Sequence, residues 1–313
     1  MKQGIIILAA LVFLFATDTT SNAQAIELES QQVDFHMPDG WTMGEVVAIE
    51  KRADGHFVVL HRGQHQLVEF DADRNFVKEI GAGLFKNPHG LRIDPLGNIW
   101  TADSGTHLVL RFAPSGKVTM VLGKNGTAGT GWFDRDYNLV LFDQPLDIAW
   151  DKDDNIYVVD KGNARIVKMD ANGAMIKTWG QQGTHAGEFN FAHSIIIDDL
   201  DRIYIADREN KRIQIFDLEG NFLSQWDDVG YPYVLTLAHN TLWVTDARAE
   251  KVRQFDLNGI LLNSYQGHAG RNPGQFSAVH GIQVSEDGTI MVTQIFNWAG
   301  VNQLTPVPHT HSQ

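Results

Sequence analysis

The sequence predicts an all-β protein, a six-bladed β-propeller. Three observations carry this expectation: a seven-residue motif returns along the chain, four short strands accompany its copies, and six copies fill the length behind an apolar N-terminus. Helical periodicity is absent throughout. Self-similarity at this period is the signature of a repeat architecture, and four strands per unit is the grammar of a propeller blade.

The clearest copies read Gly97-Asn98-Ile99-Trp100-Thr101-Ala102-Asp103, Asp154-Asn155-Ile156-Tyr157-Val158-Val159-Asp160, Asp201-Arg202-Ile203-Tyr204-Ile205-Ala206-Asp207 and Asn240-Thr241-Leu242-Trp243-Val244-Thr245-Asp246. Weaker copies run from Gly55 to His61 and from Gly288 to Gln294. A short apolar strand precedes each, as in Ile195–Ile197, and a third follows, as in Ile213–Asp217. A fourth comes after an x-Gly turn, as in Asn221–Trp226. β-branched and aromatic residues between Asp, Asn and Gly turns are strand signals. The blades fall near residues 44–82, 84–123, 142–180, 189–226, 229–265 and 276–305, about 48 residues per copy over the 288 that follow residue 25. The last copy lacks a strand after Gln303, so residues about 30–38, with Val33 and Phe35, are expected to close the ring. A solenoid would have shorter coils and lack the four-strand order.

The N-terminus stands apart from the repeats. Lys2 precedes an apolar run from Ile5 to Ala16, and a polar stretch ends in Ala23-Gln24-Ala25. That order predicts a signal peptide, residues 1–25, and a single propeller domain, 26–313. Twelve apolar residues are short for a membrane anchor, which needs about 20. The chain is therefore expected to be secreted or periplasmic, away from the membrane after cleavage, and monomeric. Lys and Arg number 25 against 38 Asp and Glu, a net charge of −13 that argues against nucleic acid as a partner. No cysteine is present, which excludes disulfides, thiolate metal sites and a lipoprotein anchor.

Equivalent positions carry the functional signal. Fourteen residues before Asp103, Asp160, Asp207, Gln294 and His61 lie His89, Leu146, His193, His280 and Val47; in the fifth blade, one residue shorter, the slot holds Tyr233. Histidine thus recurs in alternate blades, each time four residues after a phenylalanine: Phe85, Phe189 and Phe276. In a six-fold ring alternate blades stand about 120° apart, so three imidazoles would converge on the axis. Such a set with an open fourth position suits catalytic zinc, and nitrogen ligands suit zinc better than calcium. Ordinary channel-lining histidines are the alternative.

Arg62 and Arg208 follow the marker slots of the first and fourth blades and are candidates to clamp a substrate carboxylate. Arg62 has no acidic residue immediately beside it, whereas Arg208 also has the option of a surface ion pair. Glycine-rich segments, residues 180–188, 267–275 and 123–141, are expected to wall a cleft for a small-molecule or peptide substrate.

Asn87-Pro88-His89-Gly90-Leu91, His61-Arg62-Gly63, Ala206-Asp207-Arg208-Glu209-Asn210 with Arg212-Ile213-Gln214, and Val279-His280-Gly281 resemble NHL-repeat propellers. More narrowly, they resemble the peptidyl-α-hydroxyglycine α-amidating lyases. The resemblance implies a carbon–nitrogen lyase that releases a peptide amide and glyoxylate, with zinc on His89, His193 and His280 and Arg62 orienting the substrate. It also implies a calcium site, for which Ile49 and Leu91 would supply backbone oxygens. Two positions depart from the family. The loop Asp160-Lys161-Gly162-Asn163-Ala164-Arg165 lacks the catalytic tyrosine, and Gly281 stands where the calcium-binding aspartate is expected. Tyr233 is then the candidate for the missing base, or simply a packed channel residue. Two other functions compete: a non-catalytic propeller binding a peptide, glycan or protein, and a calcium-dependent lactonase type, which would need converging carboxylates.

Overall fold

A computed structural model describes residues 28–129, 133–134, 139–296 and 300–306. The expected signal peptide lies outside these residues. Six four-stranded antiparallel sheets form the blades of a propeller. From the innermost strand outward, blade 1 is Val46–Lys51, Phe57–His61, Leu67–Phe70 and Phe76–Glu79. The inner strands of blades 2 to 6 are Pro88–Ile93, Pro145–Trp150, Ala192–Ile197, Leu235–Ala238 and Val279–Val284. Each inner strand meets its neighbours round the ring, and the sixth meets the first.

The ring closes through Leu28–Val33, which pairs antiparallel with Val301–Pro306 as the outer strand of blade 6. This strand lies earlier than the expected 30–38. Phe35 instead packs edge-on against Phe57 and Phe70 of blade 1. Joining Leu28–Val33 to the last blade leaves no gap in the ring at which the blade stack could open.

Second strands such as Ile99–Asp103 and Ile203–Asp207 are buried along their whole length, because both faces of a blade pack on neighbours. The core is accordingly a set of apolar clusters, one between each pair of adjacent blades. Trp100, Val109, Ile148 and Val158 fill the gap between blades 2 and 3, and Tyr204, Ile215, Val229 and Leu242 that between 4 and 5. Outer strands face solvent on one side, as in Phe222–Trp226.

The motif's last residue has a mechanical task. Asp103, Asp160 and Asp207 are fully buried, and their carboxylates accept the backbone N–H of residues 86, 143 and 190, each 17 positions earlier. His61 and Gln294 do the same work with Nδ1 and Oε1, accepting from Gly44 and Ser277. This bond pins the entry to every inner strand but the fifth at one height, where Asp246 accepts from Tyr231 instead. Behind three of these acids sits an arginine: Arg165 on Asp160, Arg212 on Asp207 and Arg253 on Asp246.

Candidate metal centre

The pinned entry delivers the next residues to the channel. Pro88 pairs with Asp103, yet Gly90 pairs with Ala102, so His89 is a bulged residue; the same register shift surrounds His193 and His280. A β-bulge turns a side chain away from the sheet's own faces, here toward the axis. Phe191 and Ala278 stand two residues earlier in the left-handed region, at φ 69° and 56°. Strain of this kind persists where surrounding packing imposes it, and it recurs at functional sites.

One ring nitrogen from each of His89, His193 and His280 lies within 4.8 Å of the other two. The opposite nitrogens are all occupied in one manner. His89 Nδ1 bonds the carbonyl of Leu146 at 3.0 Å, His193 Nδ1 that of Tyr233 at 2.7 Å, and His280 Nδ1 that of Val47 at 2.8 Å. Each acceptor belongs to the next blade's slot. A carbonyl only accepts, so Nδ1 carries the proton and Nε2 keeps its lone pair, which is how ligating histidines are oriented. Burial holds all three imidazoles neutral: it is the largest influence on each, and it lowers the His89 pKa to about 3. Three neutral, convergent imidazoles are a donor set that fits zinc.

Arg62 and Arg208 both lie close enough to act electrostatically on this cluster, Arg62 on His89 and His280 and Arg208 on all three. Arg62 has an acidic partner after all: Nη1 meets Glu45 at 3.1 Å, 17 residues away in sequence, and Nε donates to the Pro88 carbonyl. Arg208 pairs with Glu209, and its guanidinium also lies 3.7 Å from the Phe191 ring and 4.7 Å from that of Tyr233. The ion pair and the site therefore coexist. Tyr233 stands beside two of the imidazoles, with ring centres 4.9 Å from His193 and 5.8 Å from His280.

Three functional features escaped the sequence reading. Lys161, from the loop without tyrosine, reaches over the Phe191 ring at 4.6 Å and donates to Gln144, adding a third cation near His89. Phe191 is the platform shared by Lys161 and Arg208. Below the histidines, Glu50, Arg92 and Asp147 form a polar layer lining the same small cavity as Ile49, Leu91 and Gly281. The segment 180–188 is fastened to blade 4, with Arg212 donating to the carbonyls of Thr184, His185 and Glu188. Part of segment 123–141 lies outside the described residues.

Comparisons with known proteins agree with this architecture. A family model described as a 6-bladed beta-propeller matches residues 138–257, and an NHL repeat model matches residues 85–112. The chain is 31% identical over 186 residues to peptidyl-glycine alpha-amidating monooxygenase A of Xenopus laevis, covering 49% of this chain and 19% of that protein. It is 30% identical over 206 residues to a probable peptidyl-alpha-hydroxyglycine alpha-amidating lyase of Caenorhabditis elegans, covering 57% of each. The chain thus spans from about a fifth to just over half of these relatives' lengths. Virginiamycin B lyase from Staphylococcus aureus shares the fold, with a TM-score of 0.63 at 15% identity over 90% of this chain and 100% of that one. The chain is a six-bladed propeller with an NHL repeat at residues 85–112, and about half of it is similar to amidating lyases. Among the described residues no helix is long and apolar enough to cross a membrane.

Proposed function

We propose that this propeller is an exported, zinc-dependent carbon–nitrogen lyase acting on a peptidyl-α-hydroxyglycine or a closely related small hydroxy acid. The observation that carries the reading is the convergence of His89, His193 and His280, each with Nδ1 held by a neighbouring carbonyl, beneath two arginines. The similarity to amidating lyases supports it.

His89, His193 and His280 would hold the metal through Nε2. Zinc in such a site supplies Lewis-acid polarisation of a substrate oxygen. The protein's own groups do the rest. Arg208 is pre-ordered by Phe191 and Glu209, and Arg62 by Glu45 and the Pro88 carbonyl, so both present donors for the substrate carboxylate without a large ordering cost. The aromatic wall of Phe191 and Tyr233 keeps water from the reacting carbon. In the reaction the hydroxyl oxygen loses its proton and becomes the glyoxylate carbonyl. The C–N bond breaks, and the departing nitrogen takes up a proton as the peptide amide. Tyr233, which hydrogen-bonds with Arg248, would relay these protons: its phenolate takes up the first and the phenol so formed returns one to nitrogen.

Purified chain loaded with zinc, supplied with an N-acylated dipeptide ending in α-hydroxyglycine, is expected to release glyoxylate. Arg208→Ala and Arg62→Ala should each lower kcat/KM by about 100-fold, as expected when a charge-assisted contact of about 3 kcal/mol is lost. Zinc-loaded protein that forms no glyoxylate would reject this activity while leaving the metal site standing.

A further inference from the structure

The calcium site implied by the amidating-lyase resemblance does not fit this channel, and what stands in its place is a side chain. The residue after each channel slot forms a second layer beneath the histidines: Ala48, Gly90, Asp147, Ser194, Val234 and Gly281, all but Ser194 lining the cavity that also touches Ile49 and Leu91. Position 281 has no room for an acid. A Cβ there would lie 2.6 Å from Thr293 Oγ1 and 2.8 Å from the Val47 carbonyl, and the Gly281 N–H is already bonded to Thr293 Oγ1 at 2.8 Å.

The carboxylate of this layer comes from blade 3 instead, and it is taken. Arg92 donates Nε to Asp147 Oδ1 at 3.0 Å and Nη2 to Oδ2 at 2.6 Å, a bidentate pair. The same Nη2 reaches Ser194 Oγ at 3.2 Å and the Leu235 carbonyl at 3.1 Å, while Nη1 lies 3.9 Å from Glu50. Asp147 also accepts from Ser194 Oγ and from the amides of Ile148 and Ile195. Glu50, Arg92, Asp147, Ser194 and Leu235 sit on the inner strands of blades 1 to 5 in turn. One guanidinium, at the axis, therefore cross-links five of the six blades.

We infer that Arg92 is the built-in cation of this channel, so that the protein needs no calcium and takes none. Calcium binds through six to eight oxygens, commonly including ionised carboxylates. Here the layer offers Asp147, whose oxygens are already shared among five donors, and Glu50, which faces a resident positive charge. The guanidinium stands between the two acids, 2.6 Å from Asp147 Oδ2 and 3.9 Å from Glu50. The inference stands whether or not the histidines carry a catalytic zinc.

The test is made on the whole chain, stripped of metal and then exposed to calcium chloride or a calcium chelator. The wild type should bind no stoichiometric calcium by elemental analysis and calorimetry, and its Tm should move by less than about 1 °C. Calcium bound at one per chain, or a Tm lowered by the chelator, overturns the inference. Arg92→Ala leaves the buried Asp147 and the half-buried Glu50 uncompensated and should lower Tm by roughly 10 °C, with partial recovery in millimolar guanidinium or calcium. An unchanged Tm would overturn the cross-link. Should Arg92→Ala not fold, Arg92→Lys, which keeps charge but loses the fork, should show a smaller drop. Zinc content and glyoxylate release, read on the same samples, report separately on the lyase.

Discussion

At the bulge of the inner strand, blades 2, 4 and 6 turn an imidazole toward the axis. Blades 1, 3 and 5 hold Val47, Leu146 and Tyr233 in the equivalent place, and each lends its carbonyl to the histidine of the preceding blade. The same backbone device thus has two outputs, one through the side chain and one through the main chain. In the proposed zinc site the first output would supply the donors, and the second fixes which nitrogen keeps its lone pair. A six-fold ring becomes a three-fold site because the two outputs alternate on one blade plan, although the fifth inner strand, Leu235–Ala238, pairs without the register shift.

The contrast breaks most visibly when a side chain on the imidazole half is removed. His89→Ala should leave less than about a tenth of the parent's zinc after dialysis. The rate of glyoxylate release should fall by roughly 1000-fold, the worth of several kcal/mol of charge stabilisation. Full zinc stoichiometry in that variant would mean that the imidazoles line the channel without holding a metal.

A second expected effect concerns the marker residue rather than the slot. Blades 2 to 5 end the motif in aspartate, which accepts an N–H at any pH above its own titration, but blade 1 uses His61. Its Nδ1 accepts from Gly44 at 3.2 Å and Gly63 at 3.0 Å, so the ring must be neutral, and its Nε2 is buried without a partner. Burial lowers the folded pKa to about 4 from an ordinary 6.5. The unfolded chain therefore takes up the proton first, and stability present above pH 6.5 is lost as pH falls toward 4, by about 3 kcal/mol in all. His61→Asp should flatten this slope in a denaturant titration between pH 7 and 4. An unchanged slope would place the acid sensitivity elsewhere.

What the sequence makes legible follows the same division. The repeat and the shared offset of His89, His193 and His280 are side-chain properties, and they predict blades and convergence directly. The carbonyls that orient those rings belong to Leu146, Tyr233 and Val47, and every residue has a carbonyl, so no letter marks them. Partners distant in sequence are equally silent: Glu45 lies 17 residues from Arg62, and Leu235 lies 143 residues from Arg92. Asp147 is hidden for a different reason. It occupies the carboxylate position after the slot, but in blade 3, where no histidine precedes it. The closing strand was expected from the missing fourth strand, and its register shifted because Leu28–Val33, rather than Phe35, pairs with Val301–Pro306.

The smallest expected effect is the most discriminating one for the carbonyl half. Val47 is fully buried, packed in the cluster with Leu60, Leu91 and Leu110, and its carbonyl accepts from His280. Truncating it with Val47→Ala removes two methyl groups from that core and should lower stability by about 2 kcal/mol. The backbone bulge, set by the His61 and Gly44 contact and by the ladder on either side, survives the truncation. Zinc content and affinity should then stay within about threefold of the parent, against the 10- to 100-fold loss typical when an orienting partner of a ligand is removed. A zinc affinity that falls with the methyl groups would show that Val47 acts through its side chain as well, and blade 1 would no longer serve the site through its main chain alone.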